Sequence, residues 1–407
     1  MDITIADRLG GGQFGKHTEI YKFECIKRAK AEARAAHPDL PLIDMGVGEP
    51  DSPADRGIVQ VLSAEAGKAE NRWYADNGIA EFQEAAARYL ERVYHVYNID
   101  PATQILHGIG SKPILALLPL CLINPGDVAL TTTPGYPVTA TYTRYLGGIV
   151  YHLPLTEANG FLPDLCAVPA NVLRQAKLLY LNYPNNPTGQ MATREFFEQV
   201  VEFAAQHTIA VIQDAAYAAL TYDGREPLSF LSVDGAQDVG VEIHSLSKAF
   251  NMTGWRLAFV AGNPKLIKAY GTVKDNTDSG QFRAIQKAGI YALNHPELTH
   301  AICDKYSRRF DRLITALQEL GFAARKPGGT FYTYVKCPRG TAAGVQFETA
   351  ADFSEYLLKN ALISTVPWDD AGAYIRFSVT LEARTPDEET RIIAEIQRRI
   401  SALKLVF

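Results

Sequence analysis

Apolar positions along this chain follow two alternating rhythms. Between residues 78 and 97, Ile79, Phe82, Ala86, Tyr89, Val93 and Tyr97 recur at the spacing of one buried helix face. Short β-rich runs then follow at Val128–Thr132, Leu178–Tyr183, Ile209–Gln213, Val241–Ser245 and Leu257–Ala261, with helical stretches such as Thr193–His207 between them. The runs are nearly continuous in apolar character rather than alternating. Strands of that kind, separated by helices, predict a mainly parallel sheet covered on both faces, an α/β architecture.

After about residue 290 the texture changes. A charged helical stretch (Pro296–Leu320) precedes Gly328-Gly329-Thr330-Phe331-Tyr332-Thr333-Tyr334-Val335, a turn entering a strand, and a further strand is expected at Tyr374–Val379. Thr385-Pro386-Asp387-Glu388 reads as a capping box with proline at the first helical position, followed by Ile392, Ile393, Ile396, Ile400 and Leu403 as a buried face. The expected organisation is therefore an arm over 1–40 that joins a smaller α+β domain at 296–407, and a large domain over 41–295.

At 407 residues, and roughly 150 per domain, two to three domains and a large core are in reach. Forty Lys and Arg against 45 Asp and Glu leave a net charge of −5, without the basic excess of a nucleic-acid or anionic-membrane binder. The five cysteines form no C-x-x-C pair and no metal-ligand spacing, so reduced thiols in a cytoplasmic protein and no metal site are expected. Neither a signal peptide at the N-terminus nor a membrane span is expected, since the longest apolar stretch, 113–123, is shorter than the ~20 residues a span needs. Gly10, Gly12 and Gly15 satisfy G-x-G-x-x-G, but no strand is expected before them, which leaves a glycine-rich turn.

Chemistry concentrates at the ends of the strand candidates. Ile243-His244-Ser245-Leu246-Ser247-Lys248 places two hydroxyls and an amine within four residues, and Arg256 follows eight residues after the lysine. Hydroxyls and a guanidinium beside a lysine suit a phosphate bound next to an amine that can form a Schiff base. Upstream, one strand candidate ends in Asp214-Ala215-Ala216-Tyr217 and another in Pro184-Asn185-Asn186-Pro187-Thr188-Gly189. Ligands of open parallel sheets bind at such carboxyl ends.

Taken in order and spacing, Asn186-Pro187-Thr188-Gly189, Asp214-x-x-Tyr217 and Ser245-x-Ser247-Lys248 with Arg256 resemble the class I and II, fold type I aminotransferases that depend on pyridoxal 5′-phosphate. The likeness runs from Gly46-Val47-Gly48-Glu49-Pro50 to Arg376. It implies that Lys248 holds the cofactor and moves the Cα proton, and that Asp214 pairs with the pyridinium nitrogen. Asn186 and Tyr217 would hydrogen-bond the ring oxygen, and Tyr136 would stack on the ring. Ser111, Lys112, Ser245, Ser247 and Arg256 would hold the phosphate at the helix that opens after Gly110. The resemblance also implies a homodimer with shared sites, in which Tyr74 reaches the phosphate of the neighbouring subunit.

For the substrate, Arg376 would fork onto the α-carboxylate, with Gly48 adding a backbone contact. The whole-chain pattern is most similar to the LL-diaminopimelate aminotransferase branch, through Glu19-Ile20-Tyr21-Lys22-Phe23, Asn251-Met252-Thr253-Gly254-Trp255 and Asn276-Thr277-Asp278-Ser279-Gly280. By that likeness Tyr21, Lys112 and Asn276, together with Tyr136 and Asn186, line the pocket for an amino acid or 2-oxo acid. Asp76 could read the distal end, on a loop shorter than in better-known members. An alanine or broad-specificity 2-oxo-acid aminotransferase is the alternative. A cofactor-sensing transcription regulator would need a basic helix-turn-helix domain, which is not expected here.

Overall fold

The computed structural model describes residues 3–15 and 22–407 and divides into two compact units: residues 49–308 with 327–331, and residues up to 48 with 309–326 and 332–407. The first unit carries a seven-stranded sheet. In spatial order its strands are Ile105–Gly108, Ala258–Gly262, Gly240–Ser245, Ala210–Asp214, Ala176–Asn182, Val128–Thr133 and Ile149–Pro154. Ala258–Gly262 runs antiparallel to both neighbours, and the other pairings are parallel. The fold is thus the expected α/β one, with a mainly parallel sheet between helices.

The lack of alternation in the strands has a direct cause. In Ala176–Asn182, Leu179 and Leu181 enter one apolar cluster with Phe197 and Val211, while Leu178 and Tyr180 enter a second with Ile212, Val241 and Ile243. Both faces are buried, so neither can be polar. The helices largely follow their spacing, except that the one expected over 78–97 ends at Tyr94 and leaves Tyr97 beyond it and exposed. Ala80–Tyr94 buries Phe82, Ala86 and Tyr89, and Arg194–His207 is capped by Thr193, whose hydroxyl accepts from the Phe196 N–H at 3.2 Å.

In the second unit, Tyr332–Lys336, Tyr374–Ser378 and Val366–Trp368 form an antiparallel sheet with Tyr374–Ser378 at its centre, and the helices Ala350–Ala361 and Pro386–Ser401 belong to the same unit. Thr385 caps the last helix, but the Glu388 carboxylate accepts from the Arg384 N–H at 2.6 Å rather than from Thr385 itself. Arg309 is fully buried and ties this unit together: it donates to Glu389 at 2.9 Å and to the carbonyls of Val379 and Leu381 at 2.9 Å each.

Near the N-terminus, Asp7–Leu9 and Gly11–Gln13 are short 3-10 turns, so no strand leads into the glycine triplet. Among the described residues no helix is long and apolar enough to cross a membrane, and no cluster of His, Cys, Asp or Glu could hold a metal ion.

Candidate functional site

Three adjacent parallel strands end in Asn182, Asp214 and Ser245, and the register pairs Asn182 with Asp214 directly. The Asn182 amide donates to the Asp214 carbonyl at 2.8 Å and its oxygen accepts from the Asn186 N–H at 2.9 Å. The Asn185–Gly189 turn is held against the strand end in this way, with the side chain of Asn186 buried. Asp214 is also buried. Its carboxylate accepts from the Ala216 N–H at 3.2 Å and from the Tyr180 hydroxyl at 3.3 Å. Burial outweighs these donors and pushes its carboxyl up to about 6. A cationic N–H placed against it would relieve that cost.

Ser245 ends its strand and caps the short helix Leu246–Ala249, its hydroxyl accepting from the Ser247 N–H at 3.2 Å. Lys248 lies on that helix, half-buried, with its Nζ 5.7 Å from the ring centre of Phe331. Phe331 meets the ring of Tyr217 edge-on at 5.3 Å. Lys248 and Tyr217 therefore share one aromatic wall, which the sequence reading did not single out.

Arg256 has a left-handed backbone with φ of +56°, a conformation that costs a non-glycine residue about 1–2 kcal/mol. Gln281 holds it, donating to the carbonyls of Trp255 and Arg256 at 2.7 Å each, and Arg256 Nη1 donates to the Thr253 carbonyl at 2.9 Å. The guanidinium lies over Gly110, where a Cβ would meet Nη2 at 2.1 Å. Gly110 itself has φ of +81° and precedes the Ser111–Leu122 helix, so glycine is required there twice over. Ser111 is half-buried at the first turn, Lys112 is exposed, and Tyr136 is half-buried just beyond the Val128–Thr133 strand. Backbone N–H groups of a helix start, hydroxyls at 111, 245 and 247, and a guanidinium are a donor set whose chemistry suits a phosphate. A buried carboxylate at one strand end and an amine on the next connection complete a fit to a phosphorylated pyridine aldehyde.

Tyr74 and Asn276 are exposed on this same unit, at the Trp73–Gly78 loop and the turn after helix Pro264–Asp275. Gly48 and Arg376 belong to the other unit. There the Arg376 guanidinium stacks 3.8 Å over the Tyr332 ring and donates to the Gly46 carbonyl at 3.0 Å, while a Cβ on Gly48 would meet the Tyr332 hydroxyl at 2.8 Å. Tyr332 thus joins Arg376 and Gly48, and the sequence reading had passed over it as a strand residue. Tyr21 lies outside the described residues.

The family model for aminotransferase class I and II matches residues 41–396. An LL-diaminopimelate aminotransferase of Methanocaldococcus jannaschii is 58% identical, over 99% of this chain and 98% of its own. One of Methanococcus maripaludis is 54% identical over the same shares. Among solved structures, a substrate-bound BacF from Bacillus subtilis superposes with a TM-score of 0.89 at 34% identity, covering 100% of this chain and 99% of that one.

Proposed function

The chain belongs to the class I and II aminotransferases, and on that premise we propose that it is an LL-diaminopimelate aminotransferase. The reaction is LL-diaminopimelate plus 2-oxoglutarate giving tetrahydrodipicolinate, glutamate and water, run toward diaminopimelate in lysine biosynthesis. The observation that carries the reading is the 58% identity to a relative of that name across 99% of the chain.

The enzyme depends on pyridoxal 5′-phosphate, which supplies an aldehyde to exchange amines and a ring that takes up the electron pair left when the Cα–H bond breaks. Lys248 would hold the cofactor through its Nζ, and the same amine would move the substrate Cα proton. Asp214 would pair with the ring nitrogen and favour its protonated form. Its carboxyl is raised to about 6 by burial, against the Ala216 N–H and the Tyr180 hydroxyl, and a cationic ring N–H would favour its charged form further. Asn186 and Tyr217 hydrogen-bond the ring oxygen, and Tyr136 covers the ring face. Ser111, Lys112, Ser245, Ser247 and Arg256 hold the phosphate.

Arg376 forks onto the substrate α-carboxylate, its plane kept by the Tyr332 ring beneath it, and Gly48 adds a backbone contact. Tyr21, Lys112 and Asn276 line the substrate pocket, and Asn276, Lys112 and Asp76 read the distal amino-acid end, where polar groups left unpaired reject shorter substrates. The chain works as a homodimer, with Tyr74 completing the phosphate site of a second copy.

Absorption spectra of the cofactor-loaded enzyme test this reading. Addition of LL-diaminopimelate converts the band of the lysine-linked cofactor to that of its amine form, and alanine leaves it unchanged. Equal conversion by alanine would move the assignment to the broad-specificity alternative.

A further inference from the structure

Lys274 is a buried lysine, 1% exposed, that the reaction does not use. It sits in the last turn of helix Pro264–Asp275. Its ammonium donates to the backbone carbonyl of Asp76 and to the Asp278 carboxylate, the latter at 2.6 Å. Asp278 in turn accepts from the Gly280 N–H at 2.8 Å. Around this centre the loop bearing Tyr74 is fastened at further points. Arg283 donates to the Tyr74 carbonyl at 2.8 Å, and the Asn77 amide donates to Asp275 at 2.6 Å. Gly280, at φ of +82°, lies so close that a Cβ would stand 2.5 Å from the Ala75 carbonyl carbon and 2.8 Å from the Asp76 nitrogen.

The loop is therefore gripped along its backbone at residues 74 to 76 and by the Asn77 side chain, while the Tyr74 side chain stays 78% exposed. A buried ammonium is an expensive way to hold a surface loop, since an apolar residue of similar size packs without the desolvation cost. What the charge adds is a fixed backbone position for the residue beside it. The same turn carries Asn276, whose amide donates to the Thr272 carbonyl at 3.0 Å, so both ligand-facing residues share one support.

We infer that Lys274 is a positioning residue for cofactor retention: through Asp76 and Asp278 it locks the Tyr74 loop onto the Asn276 turn. The inference rests on the reading that Tyr74 reaches the cofactor phosphate of a second copy. Lys274 acts on the cofactor only through that tyrosine.

The test is equilibrium release of pyridoxal phosphate from the holoenzyme, measured by ultrafiltration, for Y74F, K274M and K274M/D278N, with melting temperatures of the cofactor-free proteins alongside. The double variant also removes the half-buried carboxylate charge that K274M leaves without its ammonium, so it folds where K274M fails to. Y74F and K274M/D278N each raise the cofactor dissociation constant about tenfold, as loss of one charge-assisted hydrogen bond does. Combined as Y74F/K274M/D278N, the substitutions weaken binding no more than Y74F alone, because both changes act on one contact. A lowered melting temperature with an unmoved dissociation constant in K274M/D278N, while Y74F weakens binding, overturns the inference. An unmoved constant in Y74F overturns the reading of Tyr74 on which it rests.

Discussion

The Tyr180 hydroxyl stands 3.3 Å from Oδ2 of Asp214, and both side chains are buried on one face of the central strands. This hydrogen bond opposes the rise that burial imposes on the carboxyl. Y180F therefore leaves the carboxylate less favoured and weakens its pairing with the ring nitrogen. A fall in kcat of about tenfold is expected, with the absorption of the loaded enzyme titrating at a shifted pH. An unaltered pH titration would show that Tyr180 only packs.

Asp214 also sets a pH dependence for the cofactor-free protein. Its carboxyl is raised in the folded state from 3.8 to about 6, so the folded protein binds a proton that the unfolded chain has released. Stability then falls as pH rises through that window, by on the order of 3 kcal/mol. In D214N this loss is absent. The cofactor-free variant is expected to melt higher than wild type at pH 7.5 and similarly at pH 4, while its activity is abolished. Urea denaturation at both pH values checks the sign.

His107 carries the opposite dependence. Burial, with Lys274 nearby, lowers its ring to about 4 from 6.5, so the folded state resists a proton that the unfolded chain accepts. That contribution is complete above pH 6.5 and is lost as pH falls toward 4. H107F is expected to flatten the acid limb of a melting-temperature profile over that range. A limb as steep as that of wild type would assign the acid sensitivity elsewhere.

Gly110 admits no side chain. G110A places a Cβ where Arg256 Nη2 lies 2.1 Å away, and does so at φ of +81°. The backbone strain alone is about 1–2 kcal/mol, and the displaced guanidinium costs phosphate affinity as well. Cofactor is expected to dissociate on dialysis from G110A under conditions in which wild type retains it.

Arg309 tests the second unit. R309M takes from the buried Glu389 carboxylate its 2.9 Å partner and leaves Arg312, at 3.0 Å, as the remaining one, so a destabilisation of about 1–3 kcal/mol is expected. Because Arg309 also serves the Val379 and Leu381 carbonyls, R309M/E389Q is expected to recover only part of the loss, read from the denaturation midpoint of the cofactor-free protein.

Much of this molecule is legible in its order of residues. Continuous apolar runs such as Leu178-Leu179-Tyr180-Leu181 announce strands buried on two faces, and polar residues closing three of them mark where a ligand binds. Motif spacing points to Lys248, Asp214 and Arg256 because each is tied to a local turn or strand end, and the structure places all three in one unit. The strands Ile105–Gly108 and Ile149–Pro154 escaped, the first being four residues long and the second a largely exposed edge. Tyr180 was hidden in an apolar run, although a buried tyrosine implies a partner for its hydroxyl.

What the sequence determined by itself is what local chemistry dictates: helix faces, strand cores, caps at Thr193 and Thr385, and the glycine before Ser111. Tertiary structure alone decided the pairings between residues far apart in the chain. Lys274 reaches back to Asp76, Arg376 lies over Tyr332, and Arg309 finds Glu389. A side chain's rotamer and partner depend on which backbone the fold delivers beside it, and residue order carries no local signature of that encounter.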